Sequence, residues 1–229
     1  MTRLLLVGHG RMGKLVESLA AEYGFEVAGI IDSHSSAAAG ANVDGAPRVD
    51  VAIDFSSPSA VAVNAPALAR RGVNLVVGTT GWQKDEAAVR AAVAAAGTAI
   101  VAAPNFSAGV VIFEAVVAQA AALFAAQADF GAFVHEAHHA AKKDAPSGTA
   151  LALKRAMELA GFTRPIDVAS TRAGHIPGTH TIGFDGSAES ITLSHVARDR
   201  STFARGALVA AQWIKGKRGW FTMKDVLGL

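Results

Sequence analysis

Residues 4–13 read LLLVGHGRMG, and their interpretation decides the fold. Leu4–Val7 is an apolar run of strand length. Gly8, Gly10 and Gly13 follow in G-x-G-x-x-G spacing, and Met12–Tyr23 carries Leu15, Val16 and Leu19 at helical spacing. Glycines in this pattern allow a tight strand-to-helix turn and close backbone approach to a pyrophosphate, which then rests on the helix's positive end. The spacing alone is common. Here Asp32 ends a second strand-like run, Phe25–Ile31, nineteen positions after Gly13, where a ribose hydroxyl is held in dinucleotide-binding units. A glycine turn that merely packs helix on strand would need no such acid.

Working outward, short β-branched runs alternate with alanine-rich helical stretches, the signature of a parallel sheet. Strands are expected at Val51–Phe55, across "VNLVV" (73–77) and at Ala99–Ala102, with helices at Pro58–Arg71 and Lys84–Ala96. The small-residue connector 33–50 reads as loop. Two loops follow strand ends where an open α/β sheet gathers its ligands: Gly78, Thr79 and Thr80, then Ala103, Pro104, Asn105 and Phe106. After residue 107 the pattern changes. An apolar stretch, Val110–Gln127, reads as a buried helix, and "DFGAFVHEAHH" (129–139) reads as a strand. A helix follows near Ser147–Ala160, then strands near 167–172, 179–184 and 189–196, the last two joined by a hairpin turn. The fold class is therefore α/β: a Rossmann-like dinucleotide-binding domain (1–107 with 203–229) and a second α+β domain on an open mixed sheet (108–202). The closing helix, Phe203–Lys215, and the tail after it are assigned to the first domain.

Composition excludes several classes. The chain has 229 residues, 51% of them hydrophobic and 17% charged, with 21 basic and 19 acidic side chains. A net charge of +2 without a basic run argues against a nucleic-acid partner. No cysteine is present, so thiolate metal sites and a cysteine nucleophile are excluded. With Glu114 and Gln119 inside the richest apolar stretch, no membrane span is expected, and the expected compartment is the cytoplasm.

The chemistry concentrates in "HEAHHAAKKDAPSGTA" (135–150). Its first five letters have the H-E-x-x-H spacing of a zinc protease, which places two imidazoles together only on a helix. The preceding "FGAFV" is strand-like, Pro146 breaks any helix, and Lys142 and Lys143 repel a cation. No metal is expected, and His135 and Glu136 read as incidental. If His138 and His139 end a strand, one faces a cleft and the other points elsewhere. Lys142 reaches the same cleft from the next loop. The amides at Ser147, Gly148 and Thr149, opening a helix, form a seat for a small carboxylate. Neighbouring lysines lower the histidine's pKa and a bound carboxylate restores it, which suits a general acid.

These motifs resemble the 4-hydroxy-tetrahydrodipicolinate reductase (dihydrodipicolinate reductase) family. The likeness runs through "GRMG", "IDFSSP", "VVGTTG", "APNFSAGV", "HH…K.DAPSGTA", "RAG…G.H", "RSTFARGA" and "DVLGL". The resemblance implies His138 as proton donor, Lys142 as its cationic assistant, and His139, Ser147, Gly148 and Thr149 as contacts of a small dicarboxylate substrate. It implies cofactor contacts from Gly8, His9, Gly10, Arg11, Met12, Gly13, Asp32, Gly78, Thr79, Thr80, Ala103, Pro104, Asn105 and Phe106. The implied reaction delivers hydride to C4 of the ring after loss of water, then a proton to C3, and the implied assembly is a homotetramer formed through the second domain's sheet. The chain departs from the family by a glycine loop one residue shorter than G-x-x-G-x-M-G and by a short connector after Asp32. The Asp32 carboxylate disfavours a 2′-phosphate, so NADH is the expected cofactor. NADPH is the alternative, met by Arg11 and His34.

Overall fold

The computed structural model describes residues 1–32 and 43–229. Most of the connector expected as loop, and His34 with it, lies outside the described residues. The chain forms two compact units, Met1–Ala108 with Arg200–Leu229, and Gly109–Asp199.

In the first unit, β1 (Thr2–Val7), α1 (Arg11–Ala20), β2 (Phe25–Ile31), β3 (Val51–Asp54), α2 (Pro58–Arg70), β4 (Asn74–Val77), α3 (Glu86–Ala96) and β5 (Ala99–Ala102) alternate as the hydrophobic pattern predicts. The strands are apolar throughout because both faces are covered: Leu4–Val7, Val51–Ile53 and Leu75–Val77 are all buried. With β10 (Gly219–Phe221) at one edge, the sheet order is β10-β5-β4-β3-β1-β2, parallel at every pairing. Its direction of winding reverses between β1 and β3, the switch point where ligands bind. With every pairing parallel, the carboxyl ends of these strands lie at one edge.

The second unit contributes α4 (Ala108–Ala125), β6 (Gly131–His138), α5 (Gly148–Leu159), β7 (Ile166–Arg172), β8 (Gly178–Asp185) and β9 (Ser190–Ala197). These four strands form a mixed sheet, β7-β6-β8-β9, with β6 and β7 parallel and the other pairs antiparallel. Val117 and Ala121 of α4 and Ala150, Leu153 and Met157 of α5 pack on Val134, Ile182 and Phe184 of one sheet face. The other face carries His135, Thr181 and Ser194, which hydrogen-bond along or across strands.

Two expectations are corrected. The apolarity of the 18-residue α4, with mean hydropathy 2.0, predicts a buried helix. Only Val110, Val111, Val117 and Ala121 are buried, while Ile112, Val116 and Leu123 are 46–66% exposed. One flank faces the sheet, and apolarity all round cannot reveal which. The chain's tail also holds more than a returning helix. After α6 (Ser201–Trp213), Gly219–Phe221 forms a sixth strand, β10, paired parallel to β5, before α7 (Met223–Leu227). Three residues are too few to show a period.

Candidate active site

At the cofactor edge, backbone geometry does most of the work. The Gly8 N–H donates to the Ile31 carbonyl at 2.7 Å, Phe55 N–H to Val7 at 2.8 Å, Gly78 N–H to Asp54 at 2.9 Å, and Ala103 N–H to Val77 at 3.2 Å. Each strand thus passes into its loop in register with its neighbour. Gly8 has φ +90°, and a Cβ there would meet the Phe55 carbonyl; one at Gly13 would meet the Gly8 carbonyl. A Cβ at Gly10 meets nothing within 4 Å, and Gly10 caps α1 without a side-chain bond. An open, uncapped helix N-terminus beside two space-restricted glycines fits a pyrophosphate.

Around this turn, His9 pairs with Glu17 at 2.7 Å, Arg11 is exposed at the start of α1, and Met12 and Asp32 are half-buried. Thr79 is half-buried, Thr80 and Pro104 are exposed, Asn105 Oδ1 accepts from Ser107 N–H, and Ala103 is buried. The Phe106 ring is core, edge-on to Phe55, so only its backbone faces the loop edge. Sequence reading missed Asp54. This buried carboxylate at the end of β3 accepts from the Ser56 hydroxyl (2.6 Å), the Ser56 amide (2.9 Å) and the Thr79 hydroxyl (2.8 Å), tying two cofactor-edge loops together. Burial raises its pKa, only partly opposed by those bonds.

In the second unit, strand pleat and register assemble the site. Val134, Glu136 and His138 alternate onto the helix-covered face of β6. Glu136 lies opposite His180 on β8, His180 opposite His195 on β9, and His138 beside Arg172 on β7. His135–His138 of the H-E-x-x-H stretch are strand, so the helical premise of a zinc motif fails, and His135 turns to the other face to bond Thr171 at 3.0 Å.

Glu136, read as incidental, is the centre of the cluster, and that reading is corrected. It is 0% exposed. Its oxygens accept from Arg172 Nη2 (2.7 Å) and Nη1 (3.0 Å), from the Ser147 N–H (3.3 Å), and pair with His138 Nδ1. Burial raises this carboxyl's pKa, but bonds from Arg172, Ser170 and His138 outweigh it and hold the value down to about 2. Burial is also the main cause lowering the His138 pKa, with Lys142 and Arg172 assisting and Glu136 opposing. His180 is held down to about 4, chiefly by burial.

The carboxylate seat also needs correction at Ser147. Its N–H points inward to Glu136. Its hydroxyl caps the Ala150 N–H at 3.2 Å and meets His180 Nε2 at 3.0 Å, so Ser147 is buried and already engaged. The amides of Gly148 and Thr149 remain for a ligand, and a Cβ at Gly148 would meet open space. Lys142 bonds both oxygens of Asp144, at 2.8 and 2.9 Å, and His139 directly follows β6, half-buried. The donor atoms of Glu136, His138 and His180 lie within 4.8 Å of one another, a spacing a cation could share. The Arg172 guanidinium already takes both carboxylate oxygens, and a cation would have to displace it.

Glu136, Arg172 and His180 were missed because their partners are distant in sequence. The one local signal was the i, i+2 spacing of Glu136 and His138, which puts both on one face of a strand.

A dinucleotide-binding parallel sheet followed by a mixed sheet bearing a buried imidazole, carboxylate and guanidinium defines a two-domain, nicotinamide-dependent oxidoreductase. The chain belongs to the dihydrodipicolinate reductase family: residues 2–106 match the family's N-terminal model and residues 109–227 its C-terminal model. It is 39% identical to the 4-hydroxy-tetrahydrodipicolinate reductase of Methanoregula boonei, over 100% of this chain and 99% of the relative. It is 41% identical to that of Caulobacter vibrioides, over 96% and 94%. Among solved structures, the dipicolinate-bound dihydrodipicolinate reductase from Paenisporosarcina sp. TG-14 superposes with a TM-score of 0.81 at 19% identity, covering 98% of both chains. An engineered D-amino acid dehydrogenase bound to NADP+ shares the fold more loosely, with a TM-score of 0.56 at 15% identity over 97% and 93%.

Proposed function

We propose that the chain reduces 4-hydroxy-tetrahydrodipicolinate to tetrahydrodipicolinate with loss of water, in the diaminopimelate route to lysine. The observation that carries this is the His138 cluster beside the open Gly148 and Thr149 amides, in a chain with this family's two halves. Reduced nicotinamide, when bound, supplies hydride for C4 of the substrate ring. Gly8–Gly13, Asp32, Gly78–Thr80 and Ala103–Phe106 would hold that cofactor. His138 donates the proton to C3. Lys142 supplies positive charge beside it, and Gly148, Thr149 and His139 hold the substrate carboxylates, with Ser147 fixing the turn that presents them.

NADH is the expected cofactor, because Asp32 closes β2 with a carboxylate that a 2′-phosphate would oppose. The assembly we infer is a homotetramer built through the second sheet, whose helix-free face carries half-exposed Val196 beside small and polar side chains. We place it in the cytoplasm with other biosynthetic enzymes.

The test is oxidation of NADH or NADPH with substrate generated in situ by the preceding synthase. Wild type is expected to turn over with a higher kcat/KM for NADH. His138→Gln and Lys142→Ala are each expected to lose about 100-fold or more in kcat, as loss of a positioned proton donor or its partner should cause. No substrate-dependent oxidation by wild type would sink the function; full activity in His138→Gln would sink the assignment of the acid.

A further inference from the structure

The proposed reaction uses one nitrogen of His138 and leaves its surroundings unexplained. Glu136 has no exposed surface, yet stays ionised among five donors: two guanidinium N–H groups, one backbone N–H, the Ser170 hydroxyl and the imidazole Nδ1. Arg172 is fixed in turn, donating to the carbonyls of Thr171 (2.8 Å) and Asp144 (2.5 Å). A buried ion pair of this kind is weak evidence of stability, since well-packed apolar side chains often serve as well. Its geometry has a more specific result. With Nδ1 taken, Nε2 is the ring nitrogen left for chemistry. It lies over Gly178, where a side chain's Cβ would come within 3.0 Å of it.

We propose that Glu136, clamped by Arg172, is the positioning residue of the proton donor. It keeps a proton on Nδ1, so that Nε2 carries and releases the other, and through the Ser147 N–H it fixes the start of α5, where the carboxylate is seated. This deepens the function proposed above and rests on it. The step balances without a further reactant. The Nε2–H bond breaks, its proton goes to C3, and a neutral imidazole remains with its hydrogen on Nδ1, bonded to an unprotonated Glu136. A carboxyl held to about 2 does not take that proton at neutral pH. The groups facing His138 are Glu136 on its own strand, Arg172 on β7, His180 on β8 with its ring 5.2 Å away, and Lys142 in the following loop. Of these, Glu136 favours the imidazolium, while Arg172 and Lys142 disfavour it. Removing the carboxylate therefore makes the acid harder to charge.

The test compares wild type with Glu136→Gln and with Glu136→Gln/Arg172→Gln, the second variant sparing the fold an orphaned guanidinium. Each is expected to lose about tenfold or more in kcat. The loss should fall on kcat more than on KM, because the glutamine oxygen can still accept from the Ser147 N–H at the carboxylate seat, and the high-pH limb of kcat should move to lower pH. Nitrogen-15 NMR of the histidine rings gives a readout that needs no turnover: neutral His138 should carry its proton on Nδ1 in wild type and lose that preference in the variants. Wild-type His138 protonated on Nε2 when neutral, or an unchanged tautomer and pH limb in either folded variant, would overturn the proposal. A wild type that oxidises no reduced nicotinamide overturns the function instead, and the NMR result still decides the positioning.

Discussion

The edge proposed to hold the cofactor and the pocket around His138 are built from different materials. At the first, Gly8, Gly13 and Gly78 supply absence: each is a glycine because a neighbouring backbone or ring occupies the place of a Cβ. A cofactor bound there would be met by amides whose direction the sheet sets. At the second, function depends on long side chains brought together by register across strands, with Arg172 reaching Glu136 from 36 residues away. The first should fail by steric exclusion and the second by electrostatic imbalance.

Three predictions press on that difference. The largest effect is expected at the turn. Gly8→Ala forces a side chain into a positive φ against the Phe55 carbonyl and should cost about 3 kcal/mol or more of unfolding free energy in a urea titration. A loss well under 1 kcal/mol would mean that the turn yields and the contrast is overstated.

The next effect is a pH dependence that belongs to the pocket. His180 is held down to about 4 from an ordinary 6.5, so on acidification the unfolded chain takes a proton before the folded one does. Its contribution to stability is present above pH 6.5 and is lost as pH falls toward 4. His138 and His195, also lowered, act in the same direction. Glu136, lowered from 4.5 to about 2, extends the loss below pH 4.5. Melting temperature should decline across pH 6.5 to 4, and His180→Asn should flatten that decline. An equally steep decline in the variant would assign it elsewhere.

The smallest stability effect is expected at Lys142, which is paired with a largely exposed Asp144. Lys142→Ala should change unfolding free energy by less than about 0.5 kcal/mol, even though turnover falls steeply. A larger stability loss would make this lysine part of the scaffold.

The same difference explains what could be read from the sequence. The placement of the glycine turn, Asp32 and the strand-end loops was legible because each is contiguous and follows a recognisable strand. His138 at the end of a strand and the opening of α5 after it were legible as local structure. Glu136 was not, because its meaning comes from Arg172 on one neighbouring strand and the Ser147 amide beyond a loop. Ser147 was misassigned for a related reason: a helix start shows which amides are free of helix bonds but not that one of them turns inward. In α4 apolar side chains on nearly every side hid the buried flank, and in β10 three residues were too short to carry a pattern.

That last strand bears on the order of synthesis. β10 lies at the edge of the first sheet beside β5, yet more than a hundred residues separate them. On a ribosome, the whole of 109–199 exists before Gly219 is made. The second unit therefore holds every strand of its own sheet while the first still shows an open edge at β5. An unpaired edge is where a growing chain pairs wrongly, so the nascent first unit needs shielding until its final strand arrives.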